Sequence, residues 1–216
     1  MSIPAESRAE QKERTRHAIL EAALDLSEEG GIAAVSLRQV SREVGIVPTA
    51  FYRHFADVSD LGLALVEESF AALRDLLRDA RDINVPVADS RALFLAIVDT
   101  SIDALVSHAS SSDQLLRFIA RERFAGPPAV RVAVLQQLAL VERELATDIA
   151  RVPGANRWST EDLQLVANLI VNAMLAHAVS LAEAAGHTDE VARIRATARR
   201  QLHMVLIGAL QWDSSR

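Results

Sequence analysis

The 216-residue chain contains no cysteine. That absence removes disulfides, thiolate zinc sites and a cysteine nucleophile, and it suits a reducing compartment. Aromatic residues make up only 4% of the chain, and six prolines and eight glycines leave long stretches unbroken. Half of the residues are nonetheless hydrophobic, enough to bury a core in one or two domains. The opening residues are polar and charged, unlike a secretory signal. The most apolar stretch, Leu163 to Leu181, is interrupted by Gln164, Asn168, Asn172, His177 and Ser180, so it is expected as a buried helix rather than a membrane span. A soluble, cytoplasmic protein without a membrane partner is the expectation.

Catalytic signatures are missing as well. No glycine-rich phosphate loop, nucleophile elbow or His-Glu metal motif is present, and the adjacent pairs Glu28-Glu29 and Glu67-Glu68 diverge on a helix instead of converging on a substrate. None of the six histidines is read as paired with another, or with a carboxylate, at the spacing of a helical metal site. His17, His108, His187 and His203 are therefore taken as surface or packing residues. Neither an enzyme nor a metal or cofactor site is expected.

What the chain does have is helical periodicity. Apolar residues recur at three and four positions in nearly every segment and no alternating strand pattern appears, so the fold class is all-α, with about nine helices. The first helix is expected over Arg8 to Glu29 and the second over Ser36 to Val44, with Ser36 capping it and Gln39 reaching back. Gly45 supplies the tight turn, and the third helix begins at Pro48, which has no N–H to leave unmet in a first turn. Val40, Val44, Ile46, Phe51 and Phe55 are spaced to pack inward. Asp57 caps a fourth helix running to about Asp82, with Leu61, Leu65, Phe70, Leu73 and Leu77 as its inward stripe. A break over Asn84 to Asp89 precedes a fifth helix carrying Phe94, Ile97, Val98, Ile102 and Leu105, which stops before Ser110-Ser111-Ser112. A sixth runs to about Phe124, Gly126-Pro127-Pro128 separates it from a seventh over about 129–151, and Val152-Pro153-Gly154 ends that one. Ser159 or Thr160 caps the eighth, and the ninth fills about Thr188 to Trp212. Residues 1–56 thus form a head with a helix-turn-helix and residues 57–216 a helical body.

The outward side chains of that helix-turn-helix suit a nucleic-acid duplex. Hydroxyls and an imidazole can bond phosphate oxygens, and arginine can reach phosphate or a guanine edge. The residues assigned to DNA are Ser36, Arg38, Gln39, Pro48, Thr49, Ala50, Tyr52, Arg53 and His54. Arg38 is assigned to a base edge and Thr49, Tyr52 and His54 to phosphates. The net charge of −6 opposes this reading, and residues 1–55 hold seven Lys plus Arg against eight Asp plus Glu. Position matters more than the sum, because Arg8, Lys12, Arg14 and Arg16 gather at the start of the first helix.

The first helix, the Ser36 to Val44 helix and the run Pro48-Thr49-Ala50-Phe51-Tyr52-Arg53-His54-Phe55 resemble the DNA-binding head of the TetR family of bacterial repressors. More narrowly, that run, then Asp57-Val58-Ser59-Asp60-Leu61-Gly62-Leu63, Leu116-Arg117, Arg121-Glu122-Arg123 and Arg131, resemble the FabR-like and DesT-like repressors of unsaturated fatty-acid synthesis. The chain departs from many members in carrying Ala56-Asp57 where a lysine commonly follows the aromatic-His-Phe signature. The resemblance implies a double-stranded, palindromic operator, a homodimer and a small hydrophobic effector, with acyl-coenzyme A as the branch's ligand. On that basis the effector lining is assigned to Phe70, Leu73, Phe94, Val98, Phe118 and Met174. Coenzyme A phosphates are assigned to Arg117, Arg121, Arg123 and Arg131, and orientation of the ligand to Asn168 and Asn172; Arg121-Glu122-Arg123 read instead as surface ion pairs remains open. The eighth helix, apolar on most sides, and the ninth, with its stripe Val191, Ile194, Ala198, Leu202, Val205 and Ala209, are expected either at a dimer interface or as intrachain core. A TetR-type repressor answering to another hydrophobic molecule, and a helical interaction module that does not bind DNA, are the other readings.

Overall fold

The computed structural model describes residues 7–81, 90–108, 113–152, 155–212 and 214. Among them the chain forms nine α-helices and no strand: α1 (Arg8–Gly30), α2 (Leu37–Val44), α3 (Pro48–Phe51), α4 (Val58–Arg81), α5 (Ser90–His108), α6 (Asp113–Ala125), α7 (Pro128–Ala150), α8 (Thr160–Glu183) and α9 (Thr188–Leu210). Single 3-10 turns lie at Ile32–Ala34 and Ala155–Arg157. The expected break at Asn84 to Asp89, the Ser110 to Ser112 run, Pro153-Gly154 and the side chains of Leu77 and His108 lie outside the described residues.

Local chemistry sets the helix ends. Ser7 and Glu10 make a reciprocal capping box on α1, as Ser36 and Gln39 do on α2: the Gln39 N–H donates to Ser36 Oγ at 3.3 Å and the Ser36 N–H to Gln39 Oε1 at 3.0 Å. Gly45 closes α2 in the left-handed region at φ 72°, where a side chain would strain the backbone, and the Ile46 N–H reaches back to the Ser41 carbonyl. Asp57 Oδ1 accepts the Asp60 N–H at the start of α4, and Ser159 caps α8 through the Asp162 N–H. The Ser7 N–H holds the Glu10 carboxyl below the usual carboxylate range, and the hydroxyls of Ser214 and Ser159, both donating to Asp162 Oδ2, do the same for Asp162.

Head and body share one apolar core. Ile19, Ala23, Ile32, Val35, Val40, Phe51 and Phe55 of the head are continuous with Leu61, Leu65, Val66 and Phe70 of α4, Phe118 and Ile119 of α6, and Val130, Val134 and Val141 of α7. Ile32 sits at the seam. Gly62 lets it approach, since a Cβ there would lie 3.2 Å from Ile32 Cγ1 and 2.9 Å from Val130 Cγ2. Two further clusters fill the body. Phe94, Val98, Ile102, Trp158, Leu202 and Leu206 form one, with Phe94 stacked on Trp158 at 6.1 Å; Leu105, Leu116, Ala178, Leu181 and Ile194 form the other.

Two sequence expectations change here. Of the two roles left open for the α9 stripe, the structure selects intrachain core: Ile194, Ala198, Leu202 and Leu206 are buried within the protomer, while Arg195, Arg199 and His203 bind Asp99 and Asp103 of α5. The α8 helix, expected as buried, instead presents Leu165, Leu169, Asn168, Asn172 and Ala176 outward; only 28% of its most apolar window is buried. By length and composition α8 is the single described helix able to cross a membrane.

Truncating the seam residue, Ile32→Ala, is expected to cost about 2–5 kcal/mol, because the cavity would open against three rigid elements at once. Chemical denaturation measures this, and a loss under about 1 kcal/mol would show that the head packs on the body without it.

Candidate nucleic-acid interface

The α2 helix, the Gly45 turn and α3 form the helix-turn-helix. The α3 helix is a single turn because its hydrogen bonding tightens after Phe51. The Arg53 N–H donates to the Ala50 carbonyl and the His54 N–H to the Phe51 carbonyl, so Tyr52, Arg53 and His54 are wound as a turn rather than a continued helix. Phe51 and Phe55 anchor that turn from below, their rings 5.8 Å apart, and Tyr52 packs edge-on against Phe51.

The nine residues assigned to DNA all sit on α2, α3 and this turn. Arg38, Pro48, Thr49, Tyr52 and Arg53 are exposed, Tyr52 at 61%. Ser36 and Gln39 spend their oxygens on the cap of α2, Ser36 Oγ also donating to Gln39 Oε1 at 2.7 Å; what remains for a phosphate is the Gln39 amide NH2 and the helix N-terminus. Ala50 is half-buried and offers only its surface. His54 is half-buried, and its Nδ1 is enclosed without a protein partner. Burial depresses the His54 imidazole below its usual range, and the positive charges of Lys12, Arg16 and Arg53 depress it further against the opposing pull of Glu13.

Those charges extend the site beyond the nine residues. Lys12 and Arg16, four apart on α1, share one face with His54 at its end, and Arg16 stacks over the Phe55 ring at 4.6 Å. The signal in the sequence was this i, i+4 spacing, more specific than the general gathering of Arg8, Lys12, Arg14 and Arg16. The resulting concentration of positive charge beside Tyr52 is what a phosphate oxygen needs.

On the other side of the head, α6 grips the end of α1. Arg121 Nη1 donates to the Ser27 carbonyl at 2.8 Å and also to the Glu28 carbonyl; Arg117 Nη2 pairs with Glu28 Oε1, and Gln114 Nε2 donates to Asp25 at 2.8 Å. Glu122, 1% exposed, accepts the Ile32 N–H at 2.9 Å. Sequence reasoning passed Glu122 over, because Arg121-Glu122-Arg123 also reads as surface ion pairs. The cation at Arg117 holds the Glu28 carboxyl below its usual range.

The effector assignments scatter. Phe70, Leu73 and Phe118 belong with the shared core, Phe94 and Val98 with the second cluster, and Met174 lies between the second and third. Arg117 and Arg121 face α1, Arg131 is exposed, and Arg123 donates to Asn172 at 2.9 Å and stacks over Phe124 at 4.3 Å. Asn168 donates to Glu142 of α7. The expectation that no histidine pairs with a carboxylate at helical spacing is corrected by His17. It contacts Glu21 four residues on at 3.3 Å and Glu68 of α4 at 3.8 Å, on the rim of a cleft of about 170 Å³ floored by Leu20, Leu24, Leu65 and Leu115. The imidazole uses a different nitrogen toward each carboxylate, the geometry of a bridging ion pair, and no metal cluster occurs among the described residues.

Residues 19–65 match the model of the bacterial regulatory proteins of the tetR family. The match spans the second half of α1, all of α2 and α3, and the first turns of α4. Solved structures similar over nearly the whole chain include the regulatory protein TetR from Rhodobacter sphaeroides, at 19% identity, covering 86% of this chain and 97% of that one with a TM-score of 0.58. The fatty acid degradation regulator FadR from Bacillus halodurans is similar at 14% identity, 91% and 96% coverage and a TM-score of 0.63. The SmeT–triclosan complex is similar at 17% identity, 90% and 91% coverage and a TM-score of 0.66. These likenesses extend the fold of such regulators to the body, with its all-helical arrangement.

The depressed His54 gives a pH dependence with a definite sign. A duplex that places a phosphate beside His54 would favour its protonated form over the free head, where burial and the neighbouring cations disfavour it, so any binding to duplex DNA is expected to tighten as pH falls, by at most about tenfold per pH unit for each head. Fluorescence anisotropy between pH 8 and 5.5 measures this, and His54→Gln is expected to flatten the profile; an unchanged slope would remove His54 from the interface.

Proposed function

We propose that the protein is a dimeric, ligand-responsive DNA-binding transcriptional repressor of the tetR type, acting in the cytoplasm and not as an enzyme. The observation that carries this reading is the exposed Arg38, Thr49, Tyr52 and Arg53 on a helix-turn-helix, inside the segment that matches the tetR model and flanked by Lys12, Arg16 and His54. In this reading Arg38 reads a base edge in the major groove while the hydroxyls and His54 hold the backbone.

A homodimer is supported by the outer face of α8. Leu165 and Leu169 are 62% and 51% exposed, and Leu135 and Val132 of α7 and Met204 of α9, the last at 68%, are further large apolar side chains left exposed. Exposed apolar side chains of this size are costly in water and are covered by a second copy in the proposed dimer. Two heads then address half-sites of a palindrome about 34 Å apart.

The effector is proposed to be a hydrophobic molecule, with acyl-coenzyme A the first candidate from the FabR-like resemblance. Regulators of similar fold include one named for fatty acid degradation and one solved with triclosan. An acyl chain is best admitted where the three clusters meet, because Leu73 touches the first and third and Met174 the second and third. Entry there separates packed layers and displaces α4 and α6, which reach the head. The ligand acts only through its different affinity for the two head arrangements.

Anisotropy of the purified protein on its own upstream intergenic DNA, against a scrambled duplex and with saturated and unsaturated acyl-coenzyme A, tests each layer. Preference for the cognate duplex that shifts with acyl-coenzyme A is expected. Preference indifferent to it would discard the acyl ligand, and no preference at low salt would favour a helical interaction module. Arg38→Ala is expected to relax discrimination at one base pair by about 1–3 kcal/mol, and Tyr52→Phe to weaken every sequence alike. Filling the junction of the clusters with Met174→Trp is expected to abolish the effector response while sparing DNA binding.

A further inference from the structure

Glu122 is the only charged side chain buried among the described residues, and it joins the body to the head. Its Oε1 accepts the Ile32 N–H, while Oε2 is enclosed and has no partner. Two glycines make room for it: a Cβ on Gly31 would stand 2.8 Å from Oε1, and one on Gly126 would stand 2.6 Å from Oε2. A carboxylate out of water needs several donors, and this one has a single N–H.

The surrounding charges are already engaged or lie apart. On α6, Arg121 serves the Ser27 and Glu28 carbonyls and Arg117 the Glu28 carboxylate; on α1, Asp25 is bonded by Gln114. Asp60 at the start of α4 accepts the Ala56 N–H, and Arg131 in the first turn of α7 is exposed. The 3-10 turn at Ile32–Ala34 has no titratable group.

We propose that Glu122 makes the joint between head and body a proton-linked latch, closed when the carboxyl is neutral and loosened when it ionises. As a neutral acid it keeps Oε1 as acceptor for Ile32 and carries the proton on Oε2, so no uncompensated charge is buried; as a carboxylate it is drawn toward water, pulling α6 from the turn. Burial raises Glu122 above the ordinary carboxylate range, outweighing the bond from Ile32 and the charge of Arg121. The sign follows: latch stability is full below the pKa of the unfolded chain and is lost as pH rises through the raised native value. The latch concerns the joint whether or not DNA is bound, so its failure leaves the repressor reading intact.

The test is amide hydrogen exchange of the full-length protein from pH 5 to 8.5, corrected for intrinsic exchange, read at Ile32 with Leu202 as reference. Ile32 protection is expected to fall with rising pH by up to about tenfold per unit, the limit for one proton, while Leu202 stays flat and Glu122→Gln removes the slope. A pH-independent Ile32, a slope shared with Leu202, or a slope retained in Glu122→Gln would overturn the proposal. Should Glu122→Gln fail to fold, the wild-type comparison of Ile32 with Leu202 decides alone.

Discussion

The grip of α6 on the end of α1 is the constraint on which the rest of the molecule depends. A helix end leaves carbonyls without partners and carries partial negative charge. The α1 helix worsens this by ending in Glu28 and Glu29 with no basic residue in its last turn. The remedy comes from another element: Arg121 meets the Ser27 and Glu28 carbonyls and Arg117 the Glu28 carboxylate, and Glu122 takes the first N–H of the turn that follows. Two consecutive side chains, a guanidinium that donates and a carboxyl that accepts, thus hold both sides of the bend that aims the helix-turn-helix.

That arrangement gives α6 a part in both halves of the protein. Phe118 and Ile119 lie in the core shared with the head, and Leu116 lies in the third cluster of the body. An element packed into two cores moves with either, and this is the physical requirement for coupling between distant sites. The α4 helix shares the same core through Leu61, Leu65 and Phe70, but its tie to the head is apolar, with Gly62 against Ile32. Apolar contact tolerates sliding, whereas the directional bonds of Arg121 and Glu122 do not, so α6 sets the position and α4 follows it.

Helix boundaries were legible because they are local events: Ser36 and Gln39, Gly45, Pro48, Asp57 and Ser159 each act within a few residues. The Gly45 turn was legible for the same reason, whereas the tightening of α3 into a turn over Tyr52 to His54 was not. What the sequence could not disclose is partner choice across long separations. The apolar stripe of α9 reads equally well as dimer face or core, and only the packing of α5 against it decides. Glu122 between two arginines reads as surface, and its burial depends on Gly31, about ninety residues away along the chain, coming up against the α6 end where Gly126 leaves room. The effector residues were grouped by chemistry alone, and the fold distributes them over three clusters and the α1–α6 junction.

The charge pattern bears on why the proposed repressor would need two heads. The head carries slightly more acid than base, yet Glu10 is spent on capping α1 and Glu28 is paired from α6, which leaves Lys12, Arg16 and Arg53 as local cations beside the His54 imidazole. So few cations would meet only a few phosphates, so in the proposed repressor one head would bind weakly. Joining two heads across the exposed face of α8, as proposed, would multiply their affinities without a new contact to DNA, provided their spacing matched the groove. Control of spacing would then govern affinity steeply while each head stayed weak, and a joint held by a few directional bonds is enough to set that spacing.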